Sequence, residues 1–250
     1  MSYVIAIPTF NRFKSISKKV LLALKNNKVT ASKIFLFVAN EAQALLYKIA
    51  VQRDLYGEII VGRLGICNQR NFIRNYFPTG QYVVSIDDDV TRLKRLANDR
   101  LTNVSDLDAF FTDAFKMCEH TGLYLWGVYS NTSTMFMKSC SEITTDLRFI
   151  VGFMHGYIVR HLNELELTIE PKEDYEQSLK YFNLDGGVVR FNRYCCNASV
   201  PHEGGLGKNR IEEQSEQSST LLKQMFPNQV VCFTRKNGGS EVYLRKFVKS

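Results

Sequence analysis

The 250-residue sequence has no long hydrophobic run. Its apolar stretches, such as residues 82–86 and 123–129, are far shorter than the roughly 20 residues that a membrane-spanning helix needs. No basic flank precedes the apolar N-terminal residues, and no small-residue cleavage site follows them, so we expect no signal peptide. The sequence therefore predicts a protein without a membrane span. We expect it in the cytoplasm, which would be the host's cytoplasm if the protein is viral.

Several motifs that define other protein classes are also missing. The chain has six cysteines but no C-x-x-C pair, so a zinc site is not expected, and in the cytoplasm the thiols should stay reduced. No G-x-x-x-x-G-K-[ST] motif is present, and no G-x-G-x-x-G follows the first strand, which excludes a P-loop and a dinucleotide fingerprint. The lack of G-x-S-x-G leaves serine-hydrolase chemistry without support.

What the chain does contain is typical of a globular domain. Apolar residues make up 45% and charged residues 23%, which excludes a disordered or fibrous protein. The 32 basic residues outnumber the 25 acidic ones, giving a formal net charge of +7. This excess favours anionic partners such as nucleotides or nucleic acid, although a merely basic surface would have the same composition.

Hydrophobic periodicity predicts alternating strands and helices in the first half of the chain. The predicted strands cover residues 3–7, 34–39, 58–61, 82–86 and 123–128. Helical spacing links each pair of strands, and Ser105 or Asp106 should cap the last of these helices. Four consecutive βα units favour one α/β domain with a mostly parallel central sheet and helices on both faces.

The pattern changes after about residue 130. Strands are predicted at residues 149–159, 165–169 and 188–194, with a helix beginning near Lys172. A further helix is expected near residues 220–226. Two final strands, 230–234 and 241–244, are joined by Asn237-Gly238-Gly239 and should form a hairpin.

An open α/β sheet binds its ligands at the carboxyl ends of the strands, and the sequence places polar residues there. Three aspartates, Asp87, Asp88 and Asp89, follow the strand at 82–86. Alternation along an extended chain would turn Asp87 and Asp89 to one side. Like charges at this spacing favour a bound cation such as Mg²⁺ or Mn²⁺, and a solvated acidic turn or helix cap is the alternative.

Three segments, VIAIPTFNR, GICNQRNFIRNYF and VVSIDDD, together resemble the GT-A fold glycosyltransferases that use nucleotide sugars. The resemblance implies a single domain over residues 1–250, with residues 1–100 binding the donor, residues 101–250 forming the acceptor half, and a C-terminal hairpin extension. It also implies a UDP-sugar donor and Mn²⁺ or Mg²⁺ held by Asp87 and Asp89. The donor contacts that it implies are Pro8, Thr9, Asn11, Arg12, Asn40, Arg70, Asn71, Asp87 and Asp88.

A second acidic motif, Glu173-Asp174, follows Pro171 and Lys172 at the start of a predicted helix. Carboxylates at this position stabilise the helix dipole, so simple capping is one interpretation. In inverting members of the resembled family, a similar acidic pair supplies the general base. The resemblance therefore implies Asp174 as the catalytic base, with Glu173 as the second candidate, and inversion follows only if Asp174 has that role.

A glycine-rich basic segment covers residues 201–210. In many metal-dependent members of the resembled family, a histidine after the acceptor helix is a further metal ligand and a flexible loop covers the donor. The resemblance therefore implies His202 as that ligand and this segment as that loop. Lys208 and Arg210 would then contact the diphosphate, because their charges can neutralise it. A structural histidine and a solvated surface are the alternatives.

A looser resemblance points to the glycosyltransferases of phages and related systems, associated with TET/JBP hydroxylases, that modify hydroxymethylated pyrimidines in DNA. It implies an acceptor hydroxyl on 5-hydroxymethylcytosine or 5-hydroxymethyluracil, reached by base flipping. The basic residues of 92–95, 235–236 and 245–246 would then contact phosphates. Two alternatives stay open: a glycosyltransferase for protein or glycan acceptors, and a non-catalytic nucleic-acid-binding module. The sequence predicts neither the sugar nor the oligomeric state.

Overall fold

The computed structural model describes residues 2–198, 208–234 and 239–245, without the side chains of residues 198 and 208–213. The strands are β1 Tyr3–Pro8, β2 Ile34–Val38, β3 Glu58–Val61, β4 Tyr82–Ile86, β5 Val90–Ala97, β6 Arg100–Asn103, β7 Leu125–Tyr129, β8 Ile143–Thr144, β9 Met154–Ile158, β10 Val189–Ala198, β11 Val230–Thr234 and β12 Ser240–Leu244. The α-helices are α1 Leu22–Asn26, α2 Glu41–Ala50, α3 Ile66–Tyr76, α4 Leu107–Thr121, α5 Thr134–Lys138, α6 Glu173–Asp185 and α7 Lys208–Met225. A π-helical turn, Ser17–Leu21, leads into α1.

One large sheet organises the domain, with strand order β3-β2-β1-β4-β9-β7-β10-β5-β6 and β8 paired to β10. The first four strands in this order are parallel, as expected for consecutive βα units. Beyond them, β9 runs antiparallel to β4 and β7, while β10 is parallel to β7 and antiparallel to β5. The predicted α/β fold with its C-terminal hairpin, β11–β12, is confirmed.

Helix α4 shows how the local sequence builds this fold. Asp106 caps it, since its Oδ1 accepts a hydrogen bond of 2.9 Å from the Ala109 backbone N–H. The helix ends at Gly122, whose φ of 69° lies in the left-handed region that favours glycine. The buried face carries Phe115, whose ring centroid lies 5.7 Å from that of Trp126 on β7. Of the two predicted caps, the structure selects Asp106.

Strands β5 and β6 were not predicted. Their buried apolar residues in β5, Val90, Leu93 and Leu96, recur at every third position, which matches neither strand alternation nor helical periodicity. Leu93 packs in the main core cluster and Leu96 packs in a separate cluster with Met137 and Cys195, so both faces of this strand are covered. The predicted basic surface at residues 92–95 thus lies on a strand, where Arg92 and Arg95 are exposed and Lys94 is half-buried.

The strand predicted at residues 165–169 is wrong. A single 3₁₀ turn, Asn163–Leu165, is followed by irregular chain. Side chains replace a neighbouring strand here, because the buried Glu176 carboxylate accepts hydrogen bonds of 2.7 and 2.8 Å from the backbone of Thr168 and Ile169. A hydrophobic run whose backbone is satisfied in this way has no need of a sheet.

Other boundaries shift without changing the architecture. Strand β9 is shorter than the predicted strand over residues 149–159, and α7 begins at Lys208 rather than near residue 220. The basic end of the predicted glycine-rich loop is thus helical. No helix within the described residues is long and apolar enough to cross a membrane.

The cap assignment can be tested by denaturation. We expect Asp106→Ala to lower the free energy of unfolding by about 1 kcal/mol, because the Ala109 N–H loses its acceptor. Ser105→Ala is the matched control and should change little, since Ser105 is exposed. Urea unfolding of both variants measures this difference. Equal losses in the two variants would contradict the assignment.

Candidate active site

A cleft of about 600 Å³ opens at the carboxyl ends of β1 and β4. Its lining residues are Pro8, Thr9, Phe10, Asn11, Arg12, Ala39, Arg63, Leu64, Gly65, Ile66, Gln69, Asp88 and Glu170. Because β1 and β4 are parallel neighbours, the residues that follow them meet at one edge of the sheet. Thr9 Oγ1 accordingly donates a 2.6 Å hydrogen bond to Asp88 Oδ2.

Helix α2 holds the loop after β1 in place. The Tyr47 hydroxyl lies 2.5 Å from Thr9 Oγ1 and accepts a 3.0 Å hydrogen bond from the Arg12 N–H. Gln43 exchanges two hydrogen bonds with Asn11, of 3.0 and 2.7 Å, which fix Asn11 at a positive φ of 56°. Of the predicted donor contacts, Pro8, Thr9, Asn11, Arg12 and Asp88 therefore come together in the cleft.

Asn40 has a local structural partner. Its Oδ1 accepts a 3.0 Å hydrogen bond from the Gln43 N–H and caps α2. The residue that lines the cleft at this point is its neighbour, Ala39. The cap anchors the helix that in turn holds the loop after β1.

The three aspartates occupy a turn rather than an extended strand. Strand β4 ends at Ile86, and the Val90 N–H donates a 3.2 Å hydrogen bond to the Asp87 carbonyl. The alternation assumed from sequence therefore does not apply. Asp87 faces Arg70 at 3.1 Å, whereas Asp88 faces Thr9.

Burial and mutual repulsion shift the acidity of this turn. Burial raises the pKa of Asp87 to about 7, with Asp89 and Asp88 adding to the rise and Arg70 opposing it. Burial also raises the pKa of Asp88 and of Asp89, and the positive charges of Arg12 and Lys19 oppose both shifts. Burial and repulsion therefore disfavour the charged carboxylates of this turn, and a bound cation would favour them.

Arg70 lies behind the cleft, where its side chain is 6% exposed. Besides Asp87, its guanidinium contacts Glu173 Oε1 at 3.5 Å and the Gly152 carbonyl at 3.4 and 3.5 Å. Burial is the largest single influence on the Arg70 pKa and lowers it. The carboxylates of Asp87, Glu173 and Asp174 together outweigh burial, so the pKa of Arg70 is raised overall. This one cation connects α3, the acidic turn and the start of α6.

The predicted catalytic pair opens α6 on the far side of Arg70. Asp174 accepts hydrogen bonds from the Gly152 N–H at 3.2 Å and from the Tyr175 N–H at 2.9 Å. Glu173 is buried against Arg70. Burial raises the pKa of both carboxyl groups, and Arg70 opposes the rise. A half-buried carboxylate with oriented oxygens has the chemistry of a general base.

Asn71, another predicted donor contact, joins two parts of the chain. Its amide donates to the Leu167 carbonyl and accepts from the Leu167 N–H, both at 2.8 Å. These bonds tie α3 to the irregular segment before α6. The structure therefore places Asn71 and Arg70 behind the cleft rather than among its lining residues.

Eight lining residues were not predicted as donor contacts: Phe10, Ala39, Arg63, Leu64, Gly65, Ile66, Gln69 and Glu170. Phe10 is 47% exposed in the cleft. Gln69 Oε1 accepts from the Arg63 N–H at 2.7 Å, and Glu170 Oε2 accepts from the Cys67 N–H at 3.4 Å. Arg63 follows a predicted strand end but was assigned no donor contact, whereas Glu170 follows the segment that was mispredicted as a strand.

The carboxylates of the acidic turn fit a divalent cation whose remaining ligands come from a phosphate. No three His, Cys, Asp or Glu side chains of the described residues are placed to hold a metal by themselves. Magnesium, however, is commonly bound by one or two carboxylates together with substrate phosphates. His202 and the side chains of Lys208 and Arg210 lie outside the described residues.

Comparison with known proteins confirms the fold. No protein-family model matches the chain, and no curated protein sequence does. Among solved structures, S. aureus TarS 1–349 in complex with UDP-GlcNAc has a TM-score of 0.55 at 13% identity, over 89% of this chain and 67% of that one. Glucosyl-3-phosphoglycerate synthase from Mycobacterium tuberculosis, in complex with phosphoglyceric acid, has a TM-score of 0.51 at 11% identity, over 99% and 88%.

A third similar structure is the mannosyltransferase PcManGT from Pyrobaculum calidifontis in complex with GDP-Man and Mn²⁺. Its TM-score is 0.52 at 13% identity, over 90% of this chain and 63% of that one. These neighbours are GT-A nucleotide-sugar glycosyltransferases, so the predicted GT-A fold is confirmed. At such low identity the likeness establishes the fold, and activity must be inferred from the site.

The role of Arg70 predicts a pH-dependent loss of stability. In Arg70→Gln, the carboxyl groups of Asp87, Glu173 and Asp174 lose their cation, so their pKa values rise further. The folded state then binds protons that the unfolded chain releases, and its stability falls as pH rises. We expect a loss of about 3–5 kcal/mol near pH 8 and a smaller loss near pH 5.

Urea unfolding at both pH values measures this loss. Adding Glu173→Gln should recover part of it, because one uncompensated carboxylate is removed. Arg63→Gln is the control, since Arg63 is exposed. An equal loss at both pH values would contradict the proposed charge compensation.

Proposed function

We propose that this chain is a metal-dependent glycosyltransferase, a hexosyl- or pentosyltransferase that moves a sugar from a UDP-sugar to a hydroxyl acceptor. The observation that carries the proposal is the link through Arg70 between Asp87 of the acidic turn and Glu173 at the start of α6. A donor cleft and a candidate base thus lie on two sides of one buried cation. The GT-A fold, shared with glycosyltransferases in complex with UDP-GlcNAc and GDP-Man, supports the donor class.

The cleft has groups suited to the base and to the phosphates of a nucleoside diphosphate. Phe10 presents an exposed aromatic ring on which a base can stack. Arg12 and Arg63 supply positive charge at the cleft for phosphates. Thr9 and Asn11 are already fixed by α2, so the loop requires little ordering on binding.

Asp88 and Asp89 would hold the Mn²⁺ or Mg²⁺. Asp87 was also predicted as a ligand, but its Oδ1 faces Arg70, so we assign it mainly to orienting the turn. When bound, the ion would stabilise negative charge on the departing diphosphate. His202, Lys208 and Arg210 stay candidates for further contacts with the metal and the diphosphate.

Asp174 is the residue that we assign to proton removal. Its carboxylate would accept the proton of the acceptor hydroxyl as that oxygen attacks the anomeric carbon and the diphosphate leaves. Gly152 and Tyr175 orient the two carboxylate oxygens through their N–H groups. Direct attack assisted by this base inverts the configuration of the anomeric carbon. Glu173, which is buried against Arg70, positions the site.

For the acceptor we propose the hydroxymethyl group of 5-hydroxymethylcytosine in DNA, as in bacteriophage DNA modification. A groove of about 490 Å³ adjoins the acidic turn and supports this choice. Its charged lining residues are Lys18, Lys19 and Arg92, accompanied by four asparagines. Positive charge without a lining carboxylate suits a phosphodiester backbone.

Donor binding is the first test. We expect UDP to bind in the presence of Mn²⁺, and Asp88→Asn to weaken that binding by about tenfold or more, since a charged contact is lost. Asp113→Asn on the exposed face of α4 is the matched control and should bind normally. Calorimetric titration measures the affinities. Binding that is equal with and without a divalent ion would contradict metal dependence.

The transfer itself is tested by incubating the protein with Mn²⁺, UDP-sugars and duplex DNA that contains 5-hydroxymethylcytosine. Mass spectrometry of the digested nucleosides should show an added hexose or pentose. We expect Asp174→Asn to reduce transfer by about a hundredfold or more while UDP affinity is kept. Release of UDP without a modified nucleoside would reject the DNA acceptor and direct the search to protein or glycan hydroxyls.

A further inference from the structure

A second pocket, of about 230 Å³, lies beside the start of α6. Arg148 and Arg190 line it together with the aromatic residues Phe149, Tyr175 and Tyr243. Its volume is several times the roughly 30 Å³ that a water molecule occupies in the liquid. The pocket therefore has room for a polyatomic ligand.

The two arginines give this pocket an excess of positive charge. Arg190 is 8% exposed, and its Nε donates a 2.7 Å hydrogen bond to Asn192 Oδ1. Burial lowers the pKa of Arg190, and the neighbouring Arg148 lowers it further. Asp146 accepts a 2.9 Å hydrogen bond from Arg148 Nε and offsets one of the two charges. An anion in the pocket would offset the other.

The geometry of the pocket keeps Arg190 in place. Its guanidinium lies 4.8 Å from the centroid of the Tyr129 ring, and its backbone pairs with β7 and β8. A side chain held by Asn192 and an aromatic face loses little conformational freedom when it binds a ligand. This fixed position distinguishes Arg190 from an arginine on the open surface.

The pocket is connected to the candidate base. The Tyr175 ring stacks on Phe149 with centroids 3.9 Å apart and planes 14° apart. Asp174 directly precedes Tyr175, and its Oδ2 accepts a hydrogen bond from the Gly152 N–H. Gly152 lies four residues after Arg148. The segment 148–152 therefore runs from the arginine pocket to the carboxylate assigned to proton removal.

We propose that this pocket binds a phosphoryl group of the acceptor molecule. Guanidinium groups pair with phosphates through parallel hydrogen bonds, and two of them suit a group with more than two acceptor oxygens. The assignment rests on the proposed function, because it places the acceptor hydroxyl next to Asp174. It narrows the acceptor class to molecules that carry a phosphate near the hydroxyl to be modified.

Hairpin β11–β12 contributes a wall of the pocket beside α6. Tyr243 of β12 forms one wall of the pocket, and its side chain is half exposed. Val242 anchors the strand in a core with Leu179 of α6 and Leu222 of α7. The C-terminal part of the chain thus completes the acceptor side of the site.

The test is titration of the full chain with inorganic phosphate, after UDP and Mg²⁺ have filled the donor cleft. Phosphorus NMR at constant ionic strength reports binding, because broadening of the phosphate signal follows its bound fraction. We expect Arg148→Gln and Arg190→Gln each to weaken phosphate binding by about tenfold or more. Arg100→Gln, at an exposed position on β6, is the matched control and should bind like the original chain.

The outcomes separate this inference from the proposed function. Phosphate binding that is absent, or unchanged in Arg148→Gln, would overturn the phosphate site even if UDP binds. If UDP fails to bind, the assignment of the donor cleft is lost. Titration of the chain without UDP, compared with Arg148→Gln, still shows whether the pocket binds phosphate. Arg148 is partly exposed, so Arg148→Gln keeps the test valid if Arg190→Gln does not fold.

Two further ligands identify the source of the phosphoryl group. If dimethyl phosphate displaces the bound inorganic phosphate, the result would support a phosphodiester within a polymer. If dimethyl phosphate does not displace it, the result would support a terminal phosphate. Acetate carries a single carboxylate. Displacement by acetate at the same concentration would overturn the assignment to a phosphoryl group.

Discussion

The buried guanidinium of Arg70 is the interaction on which the rest of the site depends. It contacts the Asp87 carboxylate at 3.1 Å and that of Glu173 at 3.5 Å, and these groups come from distant parts of the chain. Without a cation, the buried carboxylates would repel one another or take up protons. Arg70 therefore permits the acidic turn and the start of α6 to lie close together, which is the arrangement that the proposed donor site and catalytic base require.

Different sets of hydrogen bonds fix the groups on the two sides of Arg70. On the proposed donor side, the hydrogen bonds of Tyr47 and Gln43 fix the loop after β1. On the proposed acceptor side, backbone N–H groups orient Asp174, and Tyr243 of the hairpin β11–β12 lines the neighbouring pocket. On both sides the chain fixes these groups in advance through hydrogen bonds and packing. Preorganisation of this kind reduces the ordering cost of binding.

The two arginine-containing surfaces suggest how one chain could bind two phosphorylated molecules. Arg12 and Arg63 lie at the donor cleft, whereas Arg148 and Arg190 lie in the pocket beside α6. Arg70, between them, is committed to carboxylates. Basic residues thus include a structural cation, Arg70, and groups that line three surfaces proposed to bind anions: the donor cleft, the pocket beside α6 and the groove of Lys18, Lys19 and Arg92. Net charge alone could not distinguish these uses.

The sequence by itself determined the parallel half of the sheet, because strands β1 to β4 and their helices are encoded by local apolar periodicity and caps. It also placed Thr9, Arg12 and the three aspartates at one sheet edge, since parallel strands share their carboxyl edge. Tertiary structure alone decided the partners of Arg70, the roles of Asn71 and Glu176, and the formation of β5. These features depend on contacts between residues far apart in the chain, and local periodicity carries no information about which distant groups will meet.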